Sequence, residues 1–257
     1  MEQPTAMSEW AWLEGRISVE AAVRGQNRSI DTIYIRRGKW DRDTRRLIKT
    51  AEKAGIPIEI VDDTFIADHA AGKSHGGLLA RVGPRRFATL EKLLEGSNNP
   101  LVVMLDGIED PFNFGQAVRA LYAAGVDGLV LRPRNWLTAT AVVARSSAGA
   151  SELMPTAVAE SALEAAAFFR QRGLLVACTA NKSAVSLYET DLTQPLFLLI
   201  GGEKRGITRS FLDRADIRLN IPYGRLFKHS LGAAASTAVI AFELSRQRKL
   251  ISSQDTA

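Results

Sequence analysis

The sequence predicts an α/β fold in which a C-terminal domain built on a parallel sheet follows a smaller N-terminal α/β domain. Three observations carry this prediction. From Leu101 onward, short apolar runs (LVVMLD, GLVL, LLVACTA, PLFLLIGG and IRLNIP) alternate with longer helical stretches. Near-continuous apolar runs are what strands covered on both faces of a parallel sheet require. The first third shows the same alternation on a smaller scale. Between them, FATLEKLLEGSNNP runs from a short helix into a turn-rich stretch. The expected division is therefore a domain over 10–86, a linker over 87–99 and a domain over 100–257.

The individual elements follow from their patterning. VEAAV, ending near Gly25, reads as an amphipathic helix, and TIYIRR (Thr32–Arg37) as a strand. DRDTRRLIKTAEKAG reads as a helix, with Asp41 or Asp43 placed to cap it and Gly55 where a helix stop belongs. IPIEIV and GLLARV complete the small domain as strands. In the second domain, LVVMLDG is a strand and its exit loop, FGQAVRALYAAG a helix, and GLVL a strand. ESALEAAAFFRQRG is a helix between strands, and HSLGAAASTAVIAFELSRQRKL a long terminal helix.

Composition bounds the function. Hydrophobic residues make up 46% and charged residues 24% of the 257, an ordinary balance for a globular core. The formal net charge of +5 and pI near 9.5 tilt toward a polyanionic partner. Cys178 is the sole cysteine, which excludes an intramolecular disulfide and a multi-cysteine metal site; it reads as a small buried hydrophobe. The first residues lack an apolar signal core, and no apolar run is long enough to span a bilayer. The expectation is a cytoplasmic protein with neither a metal nor a membrane partner.

In parallel sheets, ligands bind at loops beyond the carboxyl ends of the strands. DGIEDPFNFGQAVR leaves a strand through Asp106 and Gly107 and enters a helix through Asn113 and Gly115. Arg119 follows about one turn in. A helix start beside an arginine suits a phosphate, although Arg119 taken alone reads rather as a surface residue on an ordinary helix. GGEKRG lets a ligand approach backbone closely, but it has neither the ending of a phosphate-binding P-loop nor a dinucleotide fingerprint. His229 offers an acid–base group or a phosphate contact, or is a plain surface residue. No Ser-His-Asp arrangement is present.

Taken in order, DGIEDPFNFGQAVR, GGEKRG with IPYG, and SLGAAAS resemble the three motifs of the SpoU/TrmH family of RNA methyltransferases. The segments WLEGRISVEAAVRGQNRSIDTIYIRRG and SHGGLLARV are similar to the N-terminal substrate-binding domain of that family's ribosomal-RNA members. The resemblance implies a deep trefoil knot in the C-terminal domain and a ribosomal protein L30e-like N-terminal domain. It implies S-adenosylmethionine held by the loops carrying Thr179, Ala180, Gly201, Gly202, Ile221 and Leu231. It also implies a homodimer through the knotted domain, with Arg119 of one subunit able to serve the other. The activity implied is transfer of a methyl group to a ribose 2′-hydroxyl of RNA, ribosomal RNA in particular.

By position, Arg119 matches the family's catalytic arginine, Asn113 its first-motif asparagine and Glu203 its second-motif glutamate. Arg119 is a poor base, since a guanidinium stays protonated. Its expected task is to position a phosphate and polarise the hydroxyl, with Asn113 and Glu203 orienting it. The third motif departs from the family's S-L-N-x-S: Gly232 and Ala234 stand where polar residues are usual, and one extra residue lies between Ile221 and Ser230. Lys204 replaces a usual glycine. Either His229 or Ser230 supplies the missing polar contact, or the chain is an inactive member that binds RNA or cofactor. Transfer RNA is the other possible substrate. An unrelated doubly wound enzyme would be favoured by a dinucleotide fingerprint, which is absent. The expected RNA-contacting face comprises Arg16, Arg24, Arg28, Arg36, Arg37, Lys39, Arg81, Arg85 and Arg86.

Overall fold

A computed structural model describes residues 10–73, 75–133, 139–202 and 206–254, the last five without their side-chain environment. The chain divides into two compact units: residues up to Arg86 together with the segment ending at Leu153, and Phe87 onward together with Met154 to the end.

The first unit opens with β1 (Ala11–Glu14), α1 (Arg16–Gly25), β2 (Ile30–Arg36), α2 (Arg42–Lys53), β3 (Ile58–Val61), α3 (Asp63–His69) and β4 (Leu78–Val82). Its four strands lie in the order β1-β4-β2-β3, with β2 parallel to β3 and the other pairs antiparallel. Strand alternation sends Leu13, Ile33, Ile35, Ala80 and Val82 into one core, where Val19 and Ala22 of α1 and Leu47 and Ala51 of α2 meet them. α2 forms where expected, because Asp41 accepts the Thr44 N–H at 2.7 Å and caps it. That backbone N–H holds the Asp41 carboxyl below its ordinary range. The opposite sheet face carries Tyr34 and Leu79 against Ile66 of α3, with Trp12 and Phe65 beside them.

The second unit starts with a 3-10 turn, Glu91–Leu94, whose Leu93 is buried in its core. β5 (Leu101–Asp106), α4 (Pro111–Ala124) and β6 (Gly128–Leu131) follow. Next in sequence, α5 (Thr140–Ser146) and α6 (Ala150–Leu153) belong to the first unit, where Ala144 joins the core of β1, β2 and β4. The second unit then resumes with β7 (Thr156–Val158), α7 (Ala162–Arg170), β8 (Leu175–Thr179), β9 (Val185–Ser186), β10 (Leu196–Gly201), α8 (Arg209–Leu212), β11 (Ile217–Asn220) and α9 (Ala233–Gln254).

Its seven strands are all parallel, in the order β7-β6-β5-β10-β8-β11-β9. Val102, Met104, Val176, Cys178, Phe197 and Leu199 point to one face and pack on Ala165, Ala166 and Phe169 of α7. Their sequence neighbours Val103, Leu105, Ala177, Leu198 and Ile200 are equally buried on the other, where α9 meets β10 and packs along α4. The α/β class and the large parallel sheet agree with the sequence. The terminal helix begins at Ala233 rather than at His229, because Ser230–Gly232 belong to a loop.

Two candidate RNA contacts are corrected here. Arg28 is buried, and its guanidinium forms two hydrogen bonds to the Glu152 carboxylate, at 2.8 and 3.0 Å. Arg85 is half-buried and donates to the Ser151 carbonyl; burial pulls its guanidinium down to about 10. Both are committed to partners within their own unit. Among the described residues, no helix is long and apolar enough to cross a membrane.

Candidate active site

Parallel strands bring their carboxyl ends to one edge, and here the edge is set by β8, β10 and β11. Leu219 of β11 pairs with Thr179 of β8, so the exit loops of these strands emerge side by side. Thr179 Oγ1 accepts the Gly201 N–H at 3.3 Å, and Ala180 donates its N–H to the Leu219 carbonyl at 2.9 Å. These loops and the segment 221–231 enclose a cavity of about 780 Å³. Thr179, Ala180, Gly201, Gly202, Ile221, Ser230 and Leu231 all line it. So do Asn181, Leu187, Asn220, Tyr223 and Ser236, which sequence reasoning passed over. Asn181 and Asn220 had a readable signal, since Asn220 ends an apolar strand at the binding edge and Asn181 lies just beyond the end of another.

Glycine at two positions is a steric requirement. A Cβ on Gly202 would lie 1.9 Å from the Gly107 carbonyl oxygen, and one on Gly201 would lie 2.8 Å from Ile207 Cγ1. Gly107 itself has a φ of +88°, a conformation open to glycine. The Gly202 N–H donates to the Asp106 carbonyl at 2.7 Å, locking the β5 exit against the β10 exit. Gly202→Ala must force these loops apart, at about 1–3 kcal/mol. We expect its affinity for S-adenosylmethionine to fall about tenfold or more by calorimetry. Gly224→Ala, with nothing within 4 Å of the new methyl group, should bind like the wild type. Equal affinity in Gly202→Ala and wild type would refute the close packing of these loops as a binding determinant.

The third-motif loop is held by its own chemistry. Leu231 donates its N–H to Tyr223 Oη at 2.9 Å, and Ser236 donates its hydroxyl to the Gly232 carbonyl at 3.2 Å. Tyr223, Phe227 and His229 form a chain of ring contacts, at 6.3 and 5.4 Å between centroids. Phe227 and Leu226 are exposed, Leu226 almost entirely, at 98%. Cys178, one residue before Thr179, is fully buried, and burial pushes its thiol up to about 11. It therefore stays protonated and packs as a hydrophobe.

Among the described residues given catalytic roles, Ser230 lines the cavity while Arg119 and Asn113 lie on α4. Arg119 is exposed on α4, and Asn113 is half-buried in its first turn, where Asp110 caps the helix by accepting the Asn113 N–H at 2.7 Å. Six residues apart, their side chains leave the helix on different sides, and among the described residues neither hydrogen-bonds the other. Neither lines the cavity. Glu203 and Lys204 lie outside the described residues. Among the described residues, no group of His, Cys, Asp and Glu is arranged to hold a metal ion.

A cavity at the carboxyl edge of a parallel sheet, walled in part by glycines, is where α/β enzymes take nucleotide-like ligands. The SpoU rRNA Methylase family matches residues 100–242, and the RNA 2′-O ribose methyltransferase substrate-binding family matches residues 12–88. The chain belongs to the SpoU rRNA methylase family. It is 31% identical over 246 residues to the 23S rRNA (guanosine-2′-O-)-methyltransferase RlmB of Pseudomonas aeruginosa, covering 94% of this chain and 98% of that one. With the enzyme of the same name from Ralstonia nicotianae it shares 30% identity over 247 residues, 95% and 99% of the two chains. The crystal structure of the SpoU methyltransferase AviRb from Streptomyces viridochromogenes, in complex with AdoMet, has the same fold. Its TM-score is 0.78 at 21% identity, over 95% of this chain and 92% of that one.

Proposed function

We propose that this chain transfers a methyl group from S-adenosylmethionine to a ribose 2′-hydroxyl of 23S ribosomal RNA. The observation that carries this reading is the cavity, where the six positions matched to the family's cofactor loops come together from three separate chain segments. Its character suits the cofactor: closely packed glycines leave backbone accessible, Leu187, Ile221 and Leu231 supply apolar wall, and Thr179, Asn181 and Asn220 supply polar groups. When bound, S-adenosylmethionine supplies an electrophilic methyl group on a sulfonium.

This chain's residues do the rest. Arg119 grips a phosphate of the RNA and polarises the acceptor hydroxyl, whose proton passes to phosphate or water. Holding the acceptor in line is the main contribution, because orientation alone is worth several kcal/mol. Asn113 and Glu203 position the arginine, and Ser230 or His229 contributes the polar contact that Gly232 and Ala234 lack. Arg119 stands outside its own chain's cavity, which supports service to the cavity of a second subunit. Phe112 and Tyr122 of α4 and Phe242 of α9 are exposed apolar groups on two helices packed together, and they support a homodimer through this face.

The order of strands supports a deep trefoil knot. β10 lies between β5 and β8, and β11 between β8 and β9, so the last strands occupy slots between earlier ones. The first unit is an L30e-like substrate-binding domain, and the enzyme works in the cytoplasm, where ribosomal RNA is found. The similar RlmB proteins are described as 23S rRNA methyltransferases and match nearly the whole chain. This favours ribosomal over transfer RNA, and an active enzyme over a binding module. Mapping 2′-O-methyl groups in total RNA with and without the gene tests the reading. One ribosomal position should lose its methyl group, and an unchanged map would overturn the assignment.

A further inference from the structure

The basic residues first assigned to RNA are largely engaged within their own unit. Arg28 and Arg85 are held as described above. Arg16 pairs with Glu20 at 3.1 Å and Asp43 at 3.4 Å, and Arg36 with Asp63 at 3.2 Å. Arg81 pairs with Asp31 at 2.6 Å, and this hydrogen-bonded guanidinium holds the Asp31 carboxyl below its ordinary range. A different group is open. On α2, Arg42, Arg45, Lys49 and Lys53 are exposed and form no ion pair among the described residues. Their spacing of three, four and four residues places them in one stripe, opposite the buried Leu47 and Ala51. The stripe runs about 16 Å along the helix. Arg37 and Lys39, in the loop that leads into α2, are likewise exposed and without an ion pair.

We propose that the α2 stripe, with Arg37 and Lys39 at its entry, is the surface of the first unit that holds the sugar–phosphate backbone of the substrate RNA. This rests on the reading of the chain as an RNA methyltransferase. Unpaired like charges held in a row repel one another, and a row of phosphates relieves that repulsion by replacing condensed counterions. The nearby acids offset the stripe only in part. Asp41 caps the helix and its charge acts on Arg45, Asp43 faces Arg16 and Arg46, and Glu52 flanks the stripe three residues from Lys49. Lysines and arginines on a rigid helix, with no aromatic residue from Arg42 to Lys53, fit backbone contact and not base readout; Trp40, before the helix, is half-buried and its indole N–H is spent on the Arg36 carbonyl. The stripe therefore anchors the RNA irrespective of sequence, and selection of the nucleotide lies elsewhere.

The test is binding of the full-length protein to a 23S ribosomal RNA transcript, measured by filter binding across a range of potassium chloride concentrations. The Arg42→Gln, Arg45→Gln, Lys49→Gln triple variant should lose affinity by about tenfold or more. Its log–log salt slope should fall by about two, roughly 0.7–0.9 per contact removed. S-adenosylmethionine affinity should match the wild type, and an unchanged melting transition of the first unit by differential scanning calorimetry reports correct folding there. A control variant removes the same charge from the second unit (Lys92→Gln, Arg209→Gln, Arg214→Gln). Equal losses in the two triple variants, or an unchanged slope in the first, would overturn the α2 assignment while leaving the enzymatic reading intact. Failure of the wild type to bind the transcript at all would overturn both.

Discussion

Replacing Arg119 by alanine is expected to lower turnover about 10²–10³-fold, the usual effect of removing one charge-stabilising donor from an active site. S-adenosylmethionine affinity should stay within about twofold of wild type, because a contact made to the acceptor in the transition state shows in turnover and not in cofactor binding. The separation in the structure supports this split, since Arg119 is exposed on α4 and does not line the cavity. The same separation makes the cross-subunit arrangement testable. In a co-expressed mixture of Arg119→Ala and Gly202→Ala chains, random pairing makes half of the dimers mixed. At a cofactor concentration too low to fill the Gly202→Ala cavity, each mixed dimer holds one working cavity facing one intact arginine, so about a quarter of wild-type activity should return. If Arg119 serves its own cavity, the mixture should show no more activity than the separate variants. Turnover of Arg119→Ala near the wild-type rate would remove the residue from the mechanism altogether.

How much of this was legible beforehand follows from the physics of each element. The strands β5, β6, β8, β10 and β11 were readable because a strand buried on both faces must be apolar along its length. The cofactor loops were readable only through motif resemblance, because Gly201, Ile221 and Leu231 carry no chemical signal of their own. β1 escaped notice: four residues, AWLE, lie next to an acidic terminus, and they form a strand because β4 is there to pair with them. The end of the loop from Pro222 to Gly232 reads as helix from sequence, since the small residues after Gly232 continue without a break and no local signal marks the true start at Ala233. Arg28 was placed on a surface by charge alone. Nothing local announces a partner 124 residues away, and its burial depends on Glu152 being delivered from a distant part of the chain.

That pair yields the second large effect. Glu152→Ala should destabilise the first unit by about 3–5 kcal/mol, the cost of leaving a buried charge without its counterpart. Arg28 and Glu152 are 7% and 2% exposed, so water cannot replace the lost carboxylate. The pair sits in a wider cluster whose geometry it holds. The Glu152 carbonyl accepts Asn27 Nδ2 at 2.8 Å, and Arg28 Nη1 reaches the Gly83 carbonyl at 3.2 Å, so one cluster ties α6 to the α1–β2 turn and to the end of β4. For a unit of this size the change corresponds to a fall in melting temperature of more than about 10 °C. Differential scanning calorimetry should show it in one transition, with the transition raised by S-adenosylmethionine left in place. Glu152→Gln keeps an acceptor oxygen and the shape, and should fall between alanine and wild type. Replacing both partners by methionine should recover most of the loss, because the expensive state is one buried charge alone, not the absence of the pair. A melting temperature for Glu152→Ala within about 2 °C of wild type would mean that water reaches Arg28 and that the cluster does not hold the unit together. The same interaction predicts that a fragment ending at Arg86 folds poorly, since it keeps Arg28 and lacks the α5–α6 segment that neutralises it.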